Sequence, residues 1–471
     1  LKDAGKSSIL SSVTISLSIP VDVVMNQIRS IPLLALLLLT LTAATSCGGL
    51  STSRAERLGF DGKLLPAIGR VVLDQVDAKR IAGGVVLVAC KGEVVYHEAF
   101  GLQDVERQAP MQPDTMFRIA SMTKPITSVA AMILVEEGKL KLDDPVSKFI
   151  PEFANPRVLI KSTPKEGQKP QFGFVPASSE ITVRHLLTHT SGLSYRFFER
   201  EYLADRYTKD GVSDGLVETD GSALDNARRI AKAPLLFSPG EGWEYSLSTD
   251  VLGAVIEQAS GTTLADFLRT RICEPLGMND THFHVSADKA GRVAVVYASS
   301  ETESISPLPF DKPVVRGNLV YSQTYPLRKP ARFFSGGAGL VSTANDYFRF
   351  AQMLLEGGEL DGVRVLRKET VLAMRTNQCG ELDPALSRQG KHGGQFGFGF
   401  GIVTEEERAD GLGTAGSFGW GGFFNTYFWI DPHRKLVGIL MTQLYPNGHV
   451  KMRDKFRGKV YDALSYALLT D

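Results

Sequence analysis

The chain is expected to fold as an α/β protein of the α+β type, an antiparallel β-sheet flanked by helices with an all-α segment inserted into it. Three observations lead there. A strand–turn–strand pattern stands near each end of the chain, at 83–101 and at 423–444. Helical patterns dominate the stretch between them. With 471 residues and 43% hydrophobic content, the chain can also bury a core large enough for more than one lobe. The two ends together predict one discontinuous α/β domain, 58–142 with 300–471. Residues 143–299 are the helical insertion, and a cleft is expected where the two meet.

Taken in order, 64–75 has helical spacing. Residues 83–90, a Lys91-Gly92 turn and 93–101 read as a hairpin. Residues 126–135 are apolar almost all round, which marks a buried helix, and Gly138 suits its C-terminal cap. The segments 182–187, 224–233, 248–259 and 263–272 are helical, with Ser248 or Thr249 as the cap of the third, and polar loops interrupt at 161–180 and 207–222. The strand signal returns at 339–343, ahead of a helix over 345–355 and Gly357-Gly358. A second hairpin follows, 423–430 and 435–444 around Asp431-Pro432-His433-Arg434, and 451–469 is an amphipathic helix. There is no internal repeat.

Lys+Arg and Asp+Glu both number 52, so no basic stripe points to nucleic acid. Near the N-terminus, Arg29 precedes an apolar run (IPLLALLLLTL, 31–41) and small residues that end at Cys47-Gly48. The run is too short for a membrane span and suits a signal-peptide core. Residues 25–47 therefore read as a lipoprotein-like signal with Cys47 as the lipidated residue, which predicts export to a bacterial periplasm or membrane anchoring. A plain signal cut near Ala44 and an uncleaved anchor are the alternatives. Residues 1–24 precede a plausible start at Met25 and are doubtful as translated chain. Cys90, Cys273 and Cys379 are scattered, which argues against a disulfide framework, and Cys90 reads as a buried thiol.

The chemistry centres on Ser121-Met122-Thr123-Lys124-Pro125. Proline is tolerated only in the first turn of a helix, so the helix begins close to Ser121 and sets its hydroxyl at the positive end of the dipole. Spacing of i to i+3 brings the Lys124 amine over that hydroxyl. S-x-x-K also occurs at Ser162–Lys165 and Ser286–Lys289, but both lie in loop sequence; only Ser121 heads an apolar helix. Tyr245, in a short loop before the helix at Ser248, is a candidate general base to Ser121; a lone tyrosine there is ordinarily packing. Gly419-Trp420-Gly421-Gly422-Phe423 lets a ligand approach backbone closely, and an N–H there with that of Ser121 would make an oxyanion hole. A tight turn around a packed tryptophan fits the same residues.

Ser121-Met-Thr-Lys124, Tyr245-Ser-Leu and Trp420-Gly-Gly, in this order, resemble the active-site set of the serine β-lactamase and penicillin-binding-protein superfamily, class C-like, and most nearly the family VIII carboxylesterases. Residues 184–193 (RHLLTHTSGL) and 334–343 (FSGGAGLVST) look like the same family. The resemblance implies Ser121 as acylated nucleophile, Lys124 and Tyr245 sharing the base work, and the N–H groups of Ser121 and Phe423 as the oxyanion hole. It implies Trp420, Gly421, Gly422 and Leu247 at the substrate, and no cofactor. Class C enzymes carry Lys-Thr-Gly where Trp420-Gly-Gly stands and Asn where Leu247 stands. Both departures favour a neutral, short-chain carboxylic ester as the small-molecule substrate. β-Lactamase or D-Ala-D-Ala carboxypeptidase activity, or a penicillin sensor that acylates without turnover, are the rivals.

Two motifs are decoys. Gly211-Val-Ser213-Asp-Gly215 matches a nucleophile elbow but lies in polar sequence, not between strand and helix. His185-Leu-Leu-Thr-His189 and His282-Phe-His284 lack the glutamate or third ligand of a zinc site, so no metal is expected.

Overall fold

The computed structural model describes residues 53–163, 170–198, 200, 202–300, 304–327, 332–382, 384, 394–405 and 413–464. The predicted signal segment with Cys47 lies outside them.

Helix α1 (Leu65–Asp77) leads into strands β1 (Gly83–Cys90), β2 (Glu93–Asp104) and β3 (Ala109–Pro110), and then helix α2 (Thr123–Glu136). Helices α3 (Ser248–Ser260) and α4 (Ala344–Leu355) follow. The chain closes with β4 (Gln395–Phe396), β5 (Gly401–Ile402), β6 (Phe418–Gly421), β7 (Tyr427–Asp431), β8 (Leu436–Thr442) and helix α5 (Met452–Ala463). Among the described residues these eight strands form one sheet in the order β4-β5-β6-β7-β8-β1-β2-β3, antiparallel throughout. The N-terminal and C-terminal hairpins thus meet at the centre, where β1 pairs β8 from Gly84↔Thr442 to Cys90↔Leu436.

Alternation along a strand sends neighbouring side chains to opposite faces. Val86 and Val88 of β1 join Ile68 and Val72 of α1 and Phe456 and Val460 of α5 in one core. Val85, Leu87 and Ala89 join Ile126 and Val129 of α2, Val251 of α3 and Phe350 of α4 in another. Covered on both faces, β1 is buried along its whole length, which explains its unbroken apolar run. Lys91 and Gly92 both take positive φ (51° and 82°), the backbone of a tight two-residue hairpin turn.

The segment 143–299 is not purely helical. Strands Arg157–Lys161 and Phe172–Pro176 pair as a hairpin, so the Lys/Pro/Gly-rich run 162–171 connects two strands. The helix at 263–272 is α-helical over Leu264–Leu268 and then widens into a π turn, Arg269–Cys273. α3 is capped at Leu247 and carries no side-chain cap; the Ser248 hydroxyl instead bonds Ser246 and Ser191, 2.8 Å each. In the second hairpin, β7 begins at Tyr427, not 423, and residues 418–421 are themselves the strand β6 that pairs with it. Cys90 is a buried free thiol.

Candidate active site

Residues Phe117–Arg118 pair with Val341–Ser342, and the Ile119 N–H donates to the Leu340 carbonyl. This fixes the chain just before Ser121. Ala120 then adopts φ 43°, a left-handed conformation that costs a residue with a Cβ about 1–2 kcal/mol. A 3₁₀ turn over Ala120–Met122 runs directly into α2, so Ser121 sits at the helix entrance and Pro125 in its first turn, as the sequence predicts.

Ser121 and Tyr245 remain partly exposed, whereas Lys124 is 1% exposed beneath them. The Lys124 Nζ donates to Tyr195 Oη and to the Gly337 carbonyl, each at 2.8 Å, and lies 3.5 Å from Ser121 Oγ. It also stands 4.8 Å from the centre of the Tyr245 ring. Ser121 Oγ, Tyr195 Oη, the Gly337 carbonyl and the Tyr245 oxygen surround the amine, so Lys124 is placed as a buried hydrogen-bond donor.

Tyr245 faces the opposite demand. Burial pushes its phenol up, but the Lys124 charge and hydrogen bonds from Ser121, Lys124 and Trp420 outweigh burial and hold it below its usual value. The Trp420 Nε1–H donates to Tyr245 Oη at 3.3 Å. Tyr195 is driven the other way. Its burial, reinforced by the negative charges of Tyr245, Asp250 and Asp214, raises its phenol well above the ordinary range. Two neighbouring tyrosines are thus pushed apart, Tyr245 toward phenolate and Tyr195 toward the protonated form, a separation that marks acid–base pairs.

The loop carrying Tyr245 is anchored by its neighbours. Glu244 accepts from Ser194 Oγ and, bidentately, from Arg200, and the His189 ring packs 4.9 Å from Tyr245. On the far side of Lys124, Asp250 of α3 accepts from Ser335 Oγ at 2.5 Å and from the Gly337 N–H at 3.3 Å. Thr127 Oγ1 donates to the Gly336 carbonyl. The Gly336–Gly337 peptide, just before the carbonyl that receives Lys124, is thereby held at both its C=O and its N–H.

The Trp420-Gly-Gly-Phe segment lies beside the nucleophile. Thr426 Oγ1 donates to the Ile119 carbonyl, and a Cβ on Gly422 would stand 2.3 Å from that same oxygen. The Trp420 ring packs on Tyr245 and Phe396. Phe423 lies in the turn after β6, its ring stacked on Tyr445 at 3.9 Å, and its N–H meets no acceptor among the described residues. Leu247, expected at the substrate, is instead fully buried in the core, where it caps the entrance of α3 and turns its side chain inward.

The decoys have other employment. Ser213 and Asn226 bond each other through backbone and side chain. His185 closes a capping box with Thr182, and His282 pairs with Val341. Among the described residues no three His, Cys, Asp or Glu side chains converge as a metal-ligand set. Tyr195 and Asp250 were missed in the sequence. Tyr195 stands two residues beyond the recognised stretch 184–193, and Asp250 is five residues past Tyr245 on the helix whose entrance it follows; neither position has a motif of its own.

The model of the Beta-lactamase family matches residues 68–461. Esterase EstB of Burkholderia gladioli is 36% identical over 393 residues, 81% of this chain and 91% of its own. Among solved structures, EstCE1, described as a hydrolase with promiscuous acyltransferase activity, superposes with a TM-score of 0.72 at 28% identity, covering 84% of this chain and 98% of its own. Unliganded selenomethionyl simvastatin synthase (LovD) of Aspergillus terreus gives 0.67 at 26% identity, with 84% and 98% covered. The chain belongs to the Beta-lactamase family.

Proposed function

We propose that this member of the Beta-lactamase family is a serine hydrolase that cleaves carboxylic esters, short-chain ones by preference, through an acyl-enzyme on Ser121. The observation that carries the reading is the convergence of donors on the Tyr245 oxygen above a buried Lys124. Tyr245, held toward phenolate, takes the proton as Ser121 Oγ attacks the ester carbonyl carbon. The negative charge that builds on the carbonyl oxygen is met by the N–H groups of Ser121 and Phe423. As the tetrahedral species collapses, the C–O bond breaks and the alcohol leaves with the proton from Tyr245. Water then repeats the sequence on the acyl-serine. Lys124, beside Tyr245, lowers the cost of the phenolate.

Identity to an esterase supports the ester class. Trp420 supports a neutral substrate, because an indole offers an apolar wall, its one donor directed to Tyr245, where a lysine would bind a carboxylate. Losing such a charge-assisted hydrogen bond costs roughly 1.5–3 kcal/mol. Acyl transfer to an added alcohol is the second reading, favoured by the description of EstCE1.

The test is hydrolysis of p-nitrophenyl butyrate by Ser121→Ala beside Ser162→Ala, Ser213→Ala and Ser286→Ala. Only the first should lose turnover; near-normal rates from it overturn the mechanism. A single equivalent of p-nitrophenol and then arrest would establish the sensor rival instead. Export and lipidation at Cys47 are proposed from the sequence of 25–48 alone. Cys47→Ala, expressed with its leader, should leave the membrane fraction, and wild-type protein found soluble would reject lipidation.

A further inference from the structure

The first turn of α5 places a cation directly under the oxyanion turn. The Arg453 Nη2 donates to the Gly422 carbonyl at 2.8 Å. The guanidinium is largely covered and makes no ion pair with a carboxylate among the described residues. It lies 5.9 Å from the centre of the Tyr427 ring, and a covered charge without a carboxylate partner in contact is costly to keep, which asks for a reason beyond packing. The glycines beside it are fitted to it: a Cβ on Gly421 would stand 2.5 Å from Arg453 Nη1, so the guanidinium reaches the turn only because that residue has no side chain.

An accounting of the turn shows what the contact does. The Gly422 N–H donates to Thr426 and its carbonyl accepts from Asn425 and Arg453. The Phe423 carbonyl accepts from Asn447 Nδ2 at 3.0 Å. The Phe423 N–H is left over. In a trans peptide the C=O and N–H lie on opposite sides of the C–N bond. A donor that grips the Gly422 carbonyl therefore also fixes the direction of the Phe423 N–H, and its charge polarises that amide.

We propose that Arg453 is the positioning residue of the oxyanion turn, holding the Gly422–Phe423 peptide so that its N–H meets the developing oxyanion. This rests on the ester-hydrolase reading of Ser121. It acts on the transition state and not on the neutral ester, so its effect falls on kcat. Burial pulls the Arg453 guanidinium below its usual value, and Tyr427, Asp454 and Tyr245 oppose that by favouring its charged form.

Arg453→Met should lower kcat for p-nitrophenyl butyrate by about 10- to 100-fold, somewhat less than outright removal of an oxyanion donor, with KM within about twofold. Arg453→Lys, which can still donate to the Gly422 carbonyl, should recover part of the loss. Gly421→Ala keeps the arginine but pushes it off the turn, and should reproduce the kcat loss with a near-native melting temperature. Inactivation of Ser121 by a p-nitrophenyl phosphonate, whose phosphoryl oxygen takes the oxyanion place, should slow in parallel. A kcat within twofold of wild type in Arg453→Met, or a loss confined to KM, overturns the proposal. Failure of the underlying reading shows separately, as phosphonate labelling of a wild-type residue other than Ser121.

Discussion

The Tyr245 oxygen sits where four groups converge: Ser121, Lys124 and Trp420 as donors, and Tyr195 behind. Tyr245→Phe and Lys124→Ala should each cut acylation by about two to four orders of magnitude, and the double variant should lose little more, since both serve one proton path. The sign of the pH dependence follows from the downward shift. Activity requires phenolate, so it rises with pH through a limb that lies below that of an ordinary tyrosine. Lys124→Met removes the charge that lowers Tyr245, so its residual activity should show the limb moved to higher pH; an unmoved limb would separate Lys124 from Tyr245. Asp250 is buried, which raises its carboxyl pKa, partly offset by Lys124 and by the Ser335 and Gly337 hydrogen bonds. A carboxyl raised on folding contributes stability at low pH and loses it as pH rises through the folded value. Asp250→Asn should thus melt at or above the wild-type temperature at neutral pH, with that advantage vanishing in acid. Its kcat should fall, because the Ser335 hydroxyl and the Gly337 N–H lose the charged acceptor that holds the segment carrying the Lys124-binding carbonyl. A variant both less stable at neutral pH and fully active would contradict this placement.

The turn between β6 and β7 carries the site's tightest packing. A Cβ on Gly422 would meet Thr426 Oγ1 at 2.1 Å and the backbone oxygen of Ile119 at 2.3 Å, and backbone cannot step aside as a side chain end can. Gly422→Ala should therefore cost at least about tenfold in kcat, the lower end of what misplacing a catalytic group produces, measured on the butyrate ester. Full activity would show that the turn tolerates displacement. The same element shows where sequence reading stops. An unbroken apolar run and the Lys91-Gly92 turn made β1 and β2 legible, and the Ser121 helix was legible from Pro125 and the apolar run after it. The start of β7 was not, since Phe423 and Phe424 are apolar for a different reason: they pack in a turn. The Arg157–Lys161 hairpin was hidden by its Lys/Pro/Gly-rich connection. Ser121, Lys124, Tyr245 and Trp420 are brought together as expected. Leu247 was misplaced because helix phase, not motif position, decides which way it points, and Tyr195, Asp250 and Arg453 come from elements whose meeting no local pattern announces.

Across the whole molecule, the central pairing of β1 with β8 joins the N-terminal and C-terminal parts of the sheet, and the core on one face continues into α3. Ser121, Tyr245 and the turn at Gly422–Phe423, proposed as nucleophile, base and oxyanion turn, therefore come from three distant stretches held in one packed body. At position 420 an indole stands where the class C pattern has a lysine for a β-lactam carboxylate. kcat/KM should accordingly rank p-nitrophenyl butyrate above a chromogenic cephalosporin, with penicillins below both; a cephalosporin at or above the ester would refute the specificity argument. Trp420→Lys should shift the ratio toward β-lactams while costing ester turnover, because the Nε1 contact to Tyr245 goes with it. The most direct test of the central claim is to mix wild-type enzyme with p-nitrophenyl butyrate, quench in acid during turnover, and map the adduct by peptide mass spectrometry. The account predicts one butyryl group, on the peptide containing Ser121, absent from Ser121→Ala. A butyryl group on any other residue, or ester turnover with no acylated peptide at all, would contradict it.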